Sequence, residues 1–192
     1  MTFLRALFVQ TIVAPDNAAR VIAGMNLSRE AGWMALLLAA ILNTLIYFTN
    51  IALVPVPDDF WVPIIRTPLT YLVASFSLTV VLVFALFWAG QMLKGQARLP
   101  VLVSLVAWLF CVQSAADLLF VALFLFVPML AGVFSLAAGL YGIWILINFI
   151  TVAQGFPDRG KAVMTIVLAL MGLVVGLSLF LSVTGLTAMG IR

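Results

Sequence analysis

The sequence contains no histidine, one cysteine, and charged residues at only 8% of its 192 positions. Without histidine there is no imidazole general acid or base, no haem ligation and no ordinary zinc site. The single Cys111 cannot form an internal disulfide, and within its apolar run it reads as a small hydrophobe. The six acidic residues stand at 16, 30, 58, 59, 117 and 158. Their one adjacent pair, Asp58 and Asp59, falls in an expected loop and not on a shared helix face. A carboxylate metal cluster is therefore not expected, and no cofactor either. A lone intramembrane carboxylate offers no acid–base pair, so the chain reads as a non-enzyme.

Scarcity of charge also excludes a soluble globule, which needs roughly a quarter of its residues charged to cover its surface. What is present instead is apolar: 66% of the residues, with a mean hydropathy of +1.32. A helix needs about 20 apolar residues to cross roughly 30 Å of hydrocarbon, which bounds the chain at five or six spans. The fold class expected is all-α, a polytopic membrane protein.

Charge-free runs locate the spans. Residues 33–54 form the first, opened by the interfacial aromatic Trp33 and ended by Pro55; a Pro-rich loop over 55–68 follows. Residues 69–93 form the second and stop at Lys94, and the tight hairpin Lys94 to Arg98 leads to Leu99. From Leu99 to Gly155 the only charge is Asp117, and Pro128 divides this stretch into spans over 99–127 and 129–154. The fifth covers 162–184. Residues 1–32 read as a cytoplasmic N-terminal segment, 33–185 as the membrane domain and 186–192 as a short external tail. The opening MTFLRALFVQTIVA is interrupted by Arg5 and followed by Pro15, so it reads as retained and not as a cleaved signal. Over Pro15 to Leu27, the helical spacing of Ala18, Val21, Ile22 and Met25 predicts an interfacial amphipathic helix, with an irregular tail as the alternative.

Basic residues fix the expected orientation. Five spans place Arg5, Arg20, Arg29, Lys94, Arg98, Arg159 and Lys161 on one side and only Arg66 and Arg192 on the other. Because cytoplasmic loops carry the excess of Lys and Arg, the N-terminus is expected in the cytoplasm and the C-terminus outside. A sixth span would leave a much weaker bias. The same seven residues are the candidates for contact with lipid headgroups.

Two sets of residues could carry contacts inside the bilayer. Small residues let helices approach closely in lipid. Ala131, Ser135 and Gly139 repeat every four residues in the fourth span, and Gly172 and Gly176 form a GxxxG step in the fifth. They read either as packing between these two spans or as a dimer seam. Asp117 is the only charge inside a span, where a carboxylate costs about 2.5–3.5 kcal/mol on insertion scales if ionised. Gln113 and Ser114 share its helix face, and Asn43, Asn50 and Asn148 are the polar residues of neighbouring spans that could meet it. This set reads either as a proton, ion or substrate path or as a neutral hydrogen-bonded packing device.

The order of features also resembles a known family. An aromatic-apolar opening and Ala14-Pro15-Asp16-Asn17-Ala18-Ala19-Arg20 precede the first span, and Lys-Gly-Gln-Ala-Arg links the second and third. The fourth carries Leu140-Tyr141-Gly142-Ile143-Trp144 and then Asn148-Phe149-Ile150-Thr151-Val152-Ala153-Gln154-Gly155-Phe156, before Lys161-Ala162 opens the fifth. This succession is similar to the bacterial branch of the Yip family, five-span membrane proteins named for interaction with Ypt/Rab GTPases. The resemblance implies five helices, a cytoplasmic N-terminus and no catalysis. The long polar N-terminal region that carries partner contacts in eukaryotic relatives has no counterpart before the first span, so their trafficking role does not carry over.

The expected function is a non-enzymatic membrane scaffold or accessory subunit in the cytoplasmic membrane, if the source is bacterial. The alternative is a small permease or channel built around Asp117 and Gln113. The partners expected are the lipid bilayer and another membrane protein or a second copy of the chain, with no nucleic acid.

Overall fold

The computed structural model describes residues 2–53 and 67–189. Seven helices follow one another: α1 (Thr2–Val13), α2 (Pro15–Gly24), α3 (Arg29–Leu53), α4 (Pro68–Met92), α5 (Leu99–Phe126), α6 (Pro128–Gln154) and α7 (Arg159–Met189). The described residues include no strand. Helices α3 to α7 are long and apolar enough to cross a membrane, so the five spans stand. The expected loop over 55–68, with Asp58, Asp59 and Arg66, lies almost wholly outside the described residues, as does Arg192.

Local sequence sets the helix limits. Proline occupies the first turn of α2, α4, α5 and α6, where a missing N–H costs nothing and the fixed φ suits a helix. Thr67 and Thr70 close a reciprocal capping box at the start of α4, each side chain bonding the other's backbone N–H at 3.3 Å. At the end of α6, Gly155 adopts φ +65°, Phe156 N–H donates to Thr151 O at 3.0 Å and Gly155 N–H to Val152 O at 3.2 Å. This is the Schellman pattern, with glycine at the one left-handed position. The two non-glycine residues at positive φ, Asn26 and Lys94, follow α2 and α4 and turn the chain there.

Helix α1 departs from the sequence expectation. Its apolar residues run around the cylinder without a stripe, so periodicity did not mark it as an element. Helix α2 has the expected stripe but ends at Gly24, three residues before Leu27. Its Ala18 and Ile22 are buried, Val21 is half-buried and Met25 is exposed. The buried face packs on α5 and α6, so protein and not a headgroup layer covers that part of the stripe. The first span starts earlier than expected, at Arg29. The fifth runs to Met189, so helix continues into the expected tail.

Helix α3 lies along α5, α5 pairs with α6, and α4 pairs with α7. The buried core is concentrated at one end of this bundle. Leu36 of α3, Val83 and Leu86 of α4, Leu102 and Val106 of α5, Ile150 of α6 and Ala162 and Ala169 of α7 form one cluster with Ala97 and Phe156 from the connections. All lie in the halves of their helices nearest the α4–α5 hairpin. A second cluster at the same end seats Leu7, Ala18, Ala19 and Ile22 of the α1–α2 hairpin on Leu105, Ile145 and Phe149. The opposite halves carry fewer buried residues and present Leu69, Val73, Leu118, Leu125, Met129 and Leu136 outward, as suits surfaces whose solvent is lipid.

Candidate functional site

Three polar features stand out against this apolar frame. The first is the Asp117 seam on α5. Gln113 Nε2 donates to Asp117 Oδ1 at 3.2 Å across one helical turn, as the i, i+4 spacing predicts. Among the described residues Asp117 meets no cation. Ser114, on the same helix, is fully buried, and its Oγ has no partner among the described residues. Of the three asparagines, Asn43 comes nearest this seam: it lines a cavity of about 400 Å³ together with Gln113, Tyr71, Ser75 and Thr79, and the Tyr71 hydroxyl donates to its Oδ1 at 3.5 Å. Tyr71 also stacks on Tyr47 at 4.1 Å, so this contact joins α3 to α4. Asn148 is fully buried and donates Nδ2 to Trp144 O at 2.7 Å, one turn back in its own helix. Among the described residues Asn50 and Asn148 each keep a buried Oδ1 without a partner, and no hydrogen bond joins either to Asp117.

The second feature is a junction centred on Gln154, which the sequence presented only as the end of a span. Its side chain is 1% exposed. The Oε1 accepts from Ala97 N–H at 3.2 Å and the Nε2 donates to Leu86 O at 3.3 Å, while its backbone O accepts from Gln96 N–H at 2.9 Å. One residue at the end of α6 thus ties α4, the hairpin and α6 together. Two glycines make room for it. A Cβ on Gly90 would lie 1.8 Å from Gln154 Nε2, and one on Gly95 2.1 Å from its Oε1. Gly95 N–H also donates to Gly90 O at 2.8 Å and fixes the turn on which Ala97 is presented. Every polar atom of the Gln154 amide that enters the core finds a partner, which removes the penalty for burying it.

The third feature is the attachment of the N-terminal hairpin. Thr11 Oγ1 donates to Leu7 O and accepts from Trp108 Nε1, both at 2.8 Å. The Tyr141 hydroxyl donates to Ile12 O. Asp16 pairs with Arg159 at 2.9 Å, and the same guanidinium lies 4.8 Å from the centre of the Trp144 ring. Arg98 donates to Asn26 Oδ1 at 3.1 Å. These contacts bring the α2–α3, α4–α5 and α6–α7 connections to one end of the bundle. Arg20, Arg29, Lys94, Arg98, Arg159 and Lys161 are all exposed at that end, and Arg5 is exposed on α1.

The small-residue stripes occupy varied settings. Ala131 is buried, whereas Ser135, Gly139, Gly172 and Gly176 are exposed, and a Cβ at any of those three glycines would meet nothing within 4 Å inside the chain.

A family model described as the Yip1 domain covers residues 9–180, from within α1 to within α7. The chain belongs to the Yip1 domain family. It is an integral membrane protein of that family, and the match takes in every structural feature above except the start of α1 and the end of α7. No curated protein and no solved structure matches it. The Yip1 match covers the resemblance read from Ala14–Arg20 and Leu140–Phe156, and it reaches across both the Asp117 seam and the Gln154 junction.

Proposed function

We propose that this Yip1-domain protein is a non-enzymatic membrane scaffold or accessory subunit, with its N-terminus in the cytoplasm and its C-terminus outside. It acts through helix contacts with another membrane protein or a second copy of itself, and through a basic cytoplasmic face against anionic headgroups. The observation that carries this reading is the gathering of six exposed Lys and Arg residues, against Asp16, Glu30 and Asp158, at the end where the core is densest. A rigid platform with a charged rim suits holding a partner or a lipid surface, because juxtamembrane basic clusters are attracted to anionic leaflets. The exposed Gly139, Gly172 and Gly176 supply apolar surface on which a neighbouring helix could approach closely. In a bacterium the setting is the cytoplasmic membrane.

The test combines two measurements on the purified protein. Changing Lys94, Arg98 and Lys161 together to Glu is expected to abolish a reproducible cross-link to a membrane partner or the retention of anionic phospholipid, with the helical content unchanged. Vesicles containing the protein alone are expected to show no proton or ion flux. A flux that Asp117→Asn abolishes would overturn the scaffold reading in favour of a permease.

A further inference from the structure

Beside the Asp117 seam, α5 and α6 part to leave a cleft of about 410 Å³, within the range of about 300–1,000 Å³ typical of ligand sites. Phe8 and Ile12 of α1 line one end with Leu109 and Ile145, the small Ala116 and Ala138 line the walls between, and Leu119 and Phe134 flank the other end. From Leu109 to Leu119 the α5 wall rises about 15 Å at 1.5 Å per residue. That is half of a hydrocarbon core roughly 30 Å thick, the reach of one leaflet's acyl chain.

We infer that this cleft is a binding site for a single phospholipid acyl chain, held between α5 and α6 with its inner end beneath α1. The surroundings specify the occupant. The cleft lies along two membrane-spanning helices, and Leu119 and Ile12 of its lining are themselves exposed, so the medium at its mouth is hydrocarbon. Water is a poor filler because it needs two to four polar partners. The lining has few: Gln113 Nε2 is already turned to Asp117 and the Tyr141 hydroxyl to Ile12 O. Left empty, the wall atoms would lose dispersion contacts outright. Helix α1 distinguishes this site from ordinary annular contact, since Thr11, bonded to Trp108, and Ile12, bonded to Tyr141, pin it over the cleft. The inference rests on the membrane setting alone and not on the scaffold reading.

The experiment reconstitutes the full chain in phosphatidylcholine–phosphatidylglycerol vesicles with a phospholipid bearing a photoreactive group at the end of one acyl chain. Cross-linked residues are mapped by mass spectrometry. The expected result is labelling concentrated on Phe8 and Ile12, at the inner end of the cleft, above that of Leu136 and Leu140 on the open lipid face, and lost there alone in Ala116→Phe or Ala138→Leu. The map of the unaltered protein decides the matter even where a filled variant does not fold. Labelling no higher in the cleft than on the open face overturns the inference.

Discussion

The two halves of the bundle solve the same problem differently. At the hairpin end, all five spans and both connections share a core, and the buried Gln154 amide satisfies Leu86 and Ala97 while two glycines give it space. In the other half, cavities open beside Gln113, and Asn50 and Ser114 keep buried oxygens without partners among the described residues. In water a half with so much exposed apolar surface would collapse. In a bilayer, lipid tails are as apolar as leucine, so separating helices loses little and close contact needs a specific polar or small-residue device. The contrast teaches that the Gln154 junction is such a device and that the Asp117 seam holds little of the fold together.

Perturbations of the two halves should therefore separate by size. Gln154→Ala removes two hydrogen bonds, leaves the Ala97 N–H unpaired and opens a cavity. It should lower the unfolding free energy, measured by titration with denaturing detergent, by about 3–5 kcal/mol. Gly155→Ala forces a Cβ into the left-handed region at φ +65° and should cost about 1–2 kcal/mol in the same titration. Trp108→Phe frees the tie to Thr11, whose hydroxyl still reaches Leu7 O. A loss of about 0.5–1.5 kcal/mol is expected, with faster hydrogen exchange confined to the α1–α2 hairpin. Asp117→Asn keeps an acceptor for Gln113 and should change stability by less than about 0.5 kcal/mol. A loss at Asp117 comparable with that at Gln154 would break the distinction between the halves.

The sequence disclosed the spans because charge and proline punctuate long apolar runs: Lys94, Arg98, Pro128 and Arg159 stand at or beside helix ends in the structure. It disclosed the Gln113–Asp117 bond because that contact is local, one turn apart. The Gln154 junction was not legible, since its partners lie 57 and 68 residues away and a glutamine at the end of a span reads as a boundary. Its only local trace was the Gln-Gly-Phe string, whose glycine marks a helix end without saying what the glutamine holds. Helix α1 was missed for a related reason: an element apolar on every side has no periodic stripe, and its docking depends on Trp108 and Tyr141 from distant spans. The face of α2 was legible at Ala18 and Ile22, but its covering was assigned to the membrane surface where α5 and α6 supply it.

The most direct measurement compares one substitution in the two halves. Gly90→Ala, in the last turn of α4, and Gly139→Ala, in the interior of α6, both add a methyl group to a membrane helix, and in a helix interior alanine is preferred over glycine by about 0.5–1 kcal/mol. At Gly90 the new Cβ would stand 1.8 Å from Gln154 Nε2, whereas at Gly139 nothing lies within 4 Å. Unfolding free energies in the same lipid are expected to fall by about 3–5 kcal/mol for Gly90→Ala and to hold or rise slightly for Gly139→Ala. Equal effects, or a larger loss at Gly139, would contradict the claim that the fold is anchored at the Gln154 junction.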